Sequence, residues 1–249
     1  MSSSFHLPHD IKEQLEELST CEVSDALIKL GISTGGFLPH LNIYSPKDHE
    51  NVKLVGRVFT VRLVEQEKPD SSQLNGPKAE QHFVDVAPEG SVILISPDFV
   101  SGAACWGGLM STAAKNKKIK GVVILGGCRD LIEHRKLNFP IFAQFHSTLG
   151  IKSFLRQSEY NISLSIPIRS TVNKHEQNII NQDGEEKKTL IDSGDILIGD
   201  IDGVVIIPFS KINQVIKIAK ECKDIDENIR KDLELGKGVK ETMKKWRGT

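Results

Sequence analysis

Two short, almost wholly apolar runs, Ser91–Ser96 and Gly121–Leu125, are separated by a stretch of helical character between Gly107 and Lys120. Leu109, Ala113 and Ala114 fall on one face of that stretch, and four lysines follow from Lys115 onward. Runs this apolar suit strands buried on both faces, and strands joined through a helix must lie parallel, because the crossover returns the chain in the same direction. The segment therefore reads as a βαβ unit. A further helix over Asp130–Asn138, stopped by Phe139-Pro140, and a strand over Ile141–Phe145 extend it.

On the amino-terminal side, Asp10–Leu30 reads as helical with a break near Ser19-Thr20, Thr20 capping the second helix and Gly31 ending it. Val55–Val64 alternates and is rich in β-branched residues, as a strand requires. Ile162–Pro208 is β-rich, with turn signals at Asn181-Gln182-Asp183-Gly184 and Ser193-Gly194-Asp195 and a hairpin of Ile196–Ile198 with Val204–Ile207. From Ser210 the chain turns helical. Its last part, Lys223–Trp246, is a charged amphipathic arm whose apolar residues Ile225, Ile229, Leu233 and Leu235 need cover.

Charge excludes some partners. Thirty-two basic residues stand against 33 acidic ones, so no field favours a nucleic acid or an anionic membrane. The longest apolar runs are too short to span a bilayer, and no targeting signal opens the chain, so the expected location is the cytoplasm. Cys21, Cys105, Cys128 and Cys222 form no Cys-x-x-Cys pair, which fits reduced thiols rather than a zinc knuckle.

Ligands of open α/β sheets bind at the carboxyl ends of the parallel strands. Trp106-Gly107-Gly108-Leu109-Met110 places backbone N–H groups at a helix N-terminus, where an anion is stabilised by unpaired donors and the helix dipole. Gly126-Gly127-Cys128-Arg129-Asp130 puts Arg129 and Asp130 just past the second strand. The pair suits an anionic substrate bridged to a hard cation, with Arg129 forking a carboxylate or enolate and Asp130 holding the metal. A plainer alternative has Asp130 capping the helix it precedes, beside a surface Arg129. Glu133 and His134 share a helix face with Asp130, as ligands or as helix-dipole partners. Cys105 and Cys128 read as small buried residues.

These residues resemble the RraA-like family, which includes 4-hydroxy-4-methyl-2-oxoglutarate aldolases that also decarboxylate oxaloacetate. The resemblance runs from Ser19-Thr20-Cys21-Glu22-Val23-Ser24-Asp25-Ala26 through Gly107-Gly108-Leu109-Met110, Gly127-Cys128-Arg129-Asp130 and Glu133-His134-Arg135 to Gly199-Asp200-Ile201-Asp202-Gly203 and Pro208. The Gly-Gly-Leu-Met and Glu-His-Arg variants look most like its fungal branch. The resemblance implies an α/β fold of the phosphohistidine-swivelling type, a β/β/α layered domain. Residues 1–208 would form the catalytic domain, and 209–249 a C-terminal helical extension of it.

It also implies a class II carbon–carbon lyase with Mg²⁺ or Mn²⁺ on Asp130. The substrate, a small 2-oxo acid, would lie on Arg129 and the backbone of Gly107, Gly108, Leu109 and Met110, in a homotrimer or homohexamer whose sites lie between subunits. Asp195, Asp200 and Asp202 are candidates for a further acid from a neighbour. Many bacterial aldolases of the family carry an acid where this chain has Gly108. Its loss removes a partner of the water that acts as base, and favours decarboxylation over the aldol step. Other family members are non-enzymatic, protein-binding regulators of RNA degradation, the alternative for this chain.

Overall fold

The computed structural model describes residues 5–67, 81–99, 101–172, 175–178 and 186–248. In chain order the first elements are α1 (His9–Glu16), α2 (Thr20–Lys29), β1 (Phe37–Leu38), β2 (Asn42–Ser45), β3 (Leu54–Glu65) and α3 (Phe83–Val86). The crossover region follows with β4 (Val92–Pro97), β5 (Ala104–Trp106), α4 (Gly108–Asn116), β6 (Gly121–Cys128), α5 (Leu131–Leu137) and β7 (Ile141–His146). Then come β8 (Leu155–Tyr160), β9 (Leu164–Pro167), β10 (Arg169–Val172), β11 (His175–Asn178), β12 (Lys188–Ile191), β13 (Ile196–Asp200) and β14 (Gly203–Ile207). Two helices close the chain, α6 (Ile212–Glu234) and α7 (Val239–Arg247).

The main sheet runs β1-β14-β13-β3-β4-β6-β7-β2, with β8 beside β3 and β5 beside the end of β6. Its centre, β3-β4-β6-β7, is parallel throughout, as a chain of crossovers demands. Alternation divides the central strands between two cores. Ile93, Ile95, Val122 and Ile124 face one, with Trp106, Phe139 and the helical residue Ala114. Val92, Leu94, Val123 and Leu125 face the other, against Leu164, Ile166 and Ile191 of the small β9–β12 sheet. Helices, main sheet and small sheet thus form three layers, and both faces of β4 and β6 are dry. Burying each such Ile, Val or Leu side chain contributes roughly 1.5–3 kcal/mol.

A third core joins α1, α2 and α6 to Ile196, Ile198, Val205 and Ile207 of the β13–β14 hairpin. The charged carboxyl-terminal segment lies on the body of its own chain. Ile229 is buried, Ile225 and Leu233 are half-buried and Leu235 is exposed. Asp232 on α6 accepts hydrogen bonds from Lys237, Lys245 and the Trp246 indole, folding α7 back onto it. Among the described residues no helix is long and apolar enough to cross a membrane.

Several boundaries differ from the sequence reading. The α4 helix ends at Asn116, four residues before Lys120: Lys118 takes φ +58°, and Ile119 N–H returns to Ala114 C=O, so the helix closes without a glycine. The β6 strand continues past Leu125 to Cys128, because its last residues pair with β5 and β7. Ser19, not Thr20, caps α2, in a reciprocal capping box with Glu22. The expected turn at Asn181-Gln182-Asp183-Gly184 lies outside the described residues.

Thr20 is bound elsewhere. Its amide and hydroxyl donate to the Asp200 carboxylate at 2.8 and 2.6 Å, and Lys53 Nζ adds an ion pair at 3.2 Å. Asp195 likewise accepts from the amides of Asp192 and Phe209. Both acids are committed to tying loops together within their own chain. Burial works against the Asp200 carboxylate, but the Thr20 donors and Lys53 outweigh it and hold its pKa below the ordinary value.

A depressed carboxylate pKa stabilises the fold above the unfolded value, and the contribution fades as pH falls through the folded one. The Asp200 contribution should therefore be complete above about pH 4 and lost progressively below it. Asp200→Ala, which orphans the Thr20 amide, is expected to cost about 2–3 kcal/mol at pH 7, and less in acid. Urea unfolding at pH 7 and pH 3 tests this; an equal loss at both would exclude the charge.

Candidate active site

The glycine pair and the Arg-Asp pair meet because β5 runs parallel to the end of β6, bringing Trp106 beside Cys128. The Arg129 amide then donates to Trp106 C=O at 3.0 Å. Asp130 takes φ +61°, ψ 42°, the left-handed region that non-glycine residues seldom adopt. It stands at the N-cap of α5, yet its side chain makes no capping bond there. The turned backbone sends the carboxylate across to α4, where Oδ2 accepts from the Gly108 amide at 2.9 Å. The capping alternative is thus half right: Asp130 caps a helix, but the neighbouring one.

The Gly108 amide is taken by Asp130, and Met110 N–H donates to Gly107 C=O. In the first turn of α4 that leaves the Leu109 amide as the donor for which the described residues offer no acceptor. It lies at the helix start, where the unpaired N–H carries a positive partial charge that favours an anion. Glycine at 107 is a matter of space. A Cβ there would stand 2.6 Å from Asp130 Oδ2 and 3.4 Å from Arg129 Nε. Gly150 makes room on the far side, where a Cβ would lie 2.8 Å from Arg129 Nη1. The Arg129 guanidinium is therefore framed between Asp130, 3.7 Å from Nε, and the loop after β7.

Gly108 explains itself differently. A Cβ built there would meet Glu133 Oε2 at 1.8 Å, Cδ at 2.5 Å and Cβ at 2.8 Å. The Glu133 side chain, on the first turn of α5, occupies the space that a side chain at position 108 would take. Introducing Asp or Glu at 108 would evict Glu133 rather than add to it.

His134, the other candidate on that helix face, is not at the site. It is fully buried, with Nδ1 2.9 Å from Ser111 Oγ, which in turn accepts from Trp106 Nε1 at 2.7 Å. The chain Trp106–Ser111–His134 locks α4 and α5 together and fixes the spacing of Gly108 and Glu133. Burial lowers the His134 pKa, so the ring is neutral at pH 7. Burial also pushes the thiols of Cys105 and Cys128 up to about 11 and about 12, which keeps them protonated and inert.

A cleft of about 370 Å³ opens in front of these groups. Gly107, Leu109, Met110, Arg129 and Asp130 line it, together with the apolar side chains of Leu63, Phe83, Ile151 and Leu155. His82, Arg156 and Gln157 also belong to its lining. No motif marked these three; they arrive on α3 and β8, distant in sequence. Leu109, Ile132 and Leu149 stand exposed on the surrounding surface.

Residues 20–206 match the family described as RraA-like: Aldolase/RraA. The chain is 28% identical over 221 residues to a Halalkalibacterium halodurans protein named provisionally as a 4-hydroxy-4-methyl-2-oxoglutarate aldolase, covering 88% of this chain and 86% of that one. It is 24% identical over 227 residues to protein DlpA of Legionella pneumophila; that match covers 91% of this chain but spans only 32% of the relative's length. Among solved structures, an uncharacterised protein from Pseudomonas syringae superposes with a TM-score of 0.67 at 24% identity, over 95% of this chain and 98% of the other. That likeness is one of fold.

Proposed function

The chain belongs to the RraA-like family, and from that premise we propose that it is a divalent-metal-dependent lyase. Its substrates would be small 2-oxo acids cleaved through the enolate of pyruvate: 4-hydroxy-4-methyl-2-oxoglutarate by retro-aldol reaction, oxaloacetate by decarboxylation. One observation carries the reading. A carboxylate, a guanidinium and an open helix N-terminus line a single cleft, and a second carboxylate, Glu133, packs beside Gly108 at the start of the same helix.

The donor set fits a hard cation. Among the described residues no cluster of three or more His, Cys, Asp or Glu forms, so a closed structural metal centre is not built. Mg²⁺ and Mn²⁺ need no such cage: one or two carboxylates suffice, with water and substrate oxygens completing the shell. Asp130, whose Oδ1 remains beside the Gly108-bound Oδ2, and Glu133 would hold the ion. When bound, it supplies Lewis acidity at the substrate's carbonyl oxygen.

The protein groups divide the remaining work. The Leu109 amide receives the 2-oxo acid's carboxylate at the positive end of α4. Breaking C3–C4 leaves an electron pair on the pyruvate half, delocalised onto its carbonyl oxygen, and Arg129 faces that growing negative charge. In the retro-aldol direction the C4 hydroxyl must also lose its proton, and Glu133 would accept it. Decarboxylation releases CO₂ without that transfer, so it does not need the base. The apolar walls exclude water that would protonate the enolate at random.

As in the resemblance, the working unit is a homotrimer or homohexamer, whose contacts would cover exposed Leu109, Ile132 and Leu149. Sedimentation should give a mass three or six times 27.6 kDa; a monomer at assay concentration would refute this. The enzymatic reading itself is tested by metal-dependent pyruvate release. A protein that acted only by binding another protein would have no such dependence.

A further inference from the structure

His82 lines the same cleft as Gly107, Leu109, Arg129 and Asp130, and the proposed reaction leaves it unused. It is the N-cap of α3, where its Nδ1 accepts from the Val84 amide at 3.2 Å. An imidazole nitrogen that accepts from a backbone N–H carries no proton of its own, so the neutral ring has its single proton on Nε2. Protonating Nδ1 would set two donors against each other. Partial burial also disfavours the imidazolium, against a smaller opposing pull from Asp85, and holds the pKa below its ordinary value. The ring is thus a fixed tautomer with one N–H to give. Among the described residues that N–H has no acceptor.

The ring is also held in place. It stacks on Phe83, with centroids 4.4 Å apart and planes 28° apart, and the Phe83 ring lies 6.2 Å from that of Trp106. Trp106 immediately precedes Gly107, so the stack ties His82 to the start of α4. Gln157 fastens both neighbours of His82 to β8: its Oε1 accepts from the Phe83 amide at 2.8 Å, and its Nε2 donates to Gln81 C=O at 2.7 Å. A donor held in this way binds a ligand with little further loss of conformational freedom. Capping a four-residue helix does not require an imidazole, since Asn, Asp or Ser does the same with a shorter side chain. What the imidazole adds is a second nitrogen beyond the cap.

We infer that His82 is a substrate-binding residue, donating its Nε2–H to an oxygen of the 2-oxo acid bound in the cleft while Nδ1 caps α3. The inference rests on the 2-oxo acid reading of the site. A neutral imidazole N–H stabilises negative charge on an oxygen without giving up its proton, so His82 is neither the acid nor the base of the reaction. It adds a fixed neutral donor to the charge of Arg129.

The probe is pyruvate, a product of both proposed reactions, titrated into the full-length protein in Mg²⁺ and followed by calorimetry and by the NMR signals of ¹⁵N-labelled histidine. Wild type should show His82 as the Nε2–H tautomer, with its signal moving as pyruvate binds. His82→Asn keeps the cap, because its Oδ1 can accept from the Val84 amide, but the side chain stops short of the Nε2 position. It should melt as wild type does and bind pyruvate about 10- to 100-fold more weakly, the range of a hydrogen bond to a charged group. His82→Gln carries an amide N–H out to the Nε2 position and should recover part of that loss, although without the cap it should melt lower. Wild-type affinity in folded His82→Asn overturns the inference and leaves His82 as a cap alone. So does a His82 signal that stays still while pyruvate saturates the wild type, or one that reports the proton on Nδ1. Failure of the wild type to bind pyruvate contradicts the 2-oxo acid reading itself, and the inference with it.

Discussion

Asp130→Asn is expected to lower metal-stimulated pyruvate release by about 10³-fold or more, because an amide cannot supply the anionic oxygen that a hard cation prefers to its own water shell. The same change should leave the fold nearly untouched. The oxygen of the substituted carboxamide can still accept from the Gly108 N–H, and asparagine is among the residues that tolerate the left-handed backbone found there. Stability should therefore shift by less than about 1 kcal/mol, mostly from the lost interaction with the α4 dipole. Denaturant melts beside steady-state rates at several Mg²⁺ concentrations make the comparison. A variant with wild-type turnover at saturating Mg²⁺ would remove Asp130 from the metal site and leave it only as the cap of α4.

Glu133→Gln should split the two chemistries. If Glu133 accepts the C4 hydroxyl proton, retro-aldol cleavage should fall by about 10²–10⁴-fold, the usual contribution of a positioned general base. Oxaloacetate decarboxylation should fall far less, by the share of metal affinity that Glu133 contributes, and raising Mg²⁺ should recover it. Both rates measured on one preparation decide the matter. Equal losses, both restored by Mg²⁺, would make Glu133 a metal ligand alone and place the base elsewhere. Gly108→Asp, by contrast, should damage both reactions, since its Cβ alone lies within 3 Å of three Glu133 atoms.

The parts of this site that were legible in the sequence are those whose spacing is local. Gly107-Gly108 and Arg129-Asp130 border one helix and one strand, so a parallel crossover was enough to bring them to the same end of the sheet. The buried strands were legible too, because Val92–Ile95 and Val122–Leu125 carry no polar face to alternate with. The parts that stayed hidden depend on long-range packing. Glu133 reads as an ordinary first-turn acid until α5 is laid against α4. Nothing near Arg156 marks it, because β8 reaches the cleft only by pairing antiparallel with β3.

Asp195 and Asp200 show the converse. Acidic residues in glycine-rich turns look like ligands, and here their oxygens are taken by backbone amides and, at Asp200, also by Thr20 Oγ1 and Lys53. Asp130 admits two readings because capping a helix uses only one of its carboxylate oxygens. Oδ2 caps a helix, and Oδ1 is the oxygen that the proposed cation would use.

The central claim is that this cleft cleaves 2-oxo acids with a divalent ion held at Asp130. The most direct measurement is pyruvate released from oxaloacetate and from 4-hydroxy-4-methyl-2-oxoglutarate by protein stripped with chelator and then titrated with Mg²⁺ or Mn²⁺, with the free metal's own rate subtracted. The account predicts no turnover above background in the stripped protein and saturable recovery with either ion. Turnover that persists undiminished in chelator, or none with either substrate at saturating metal, would contradict it.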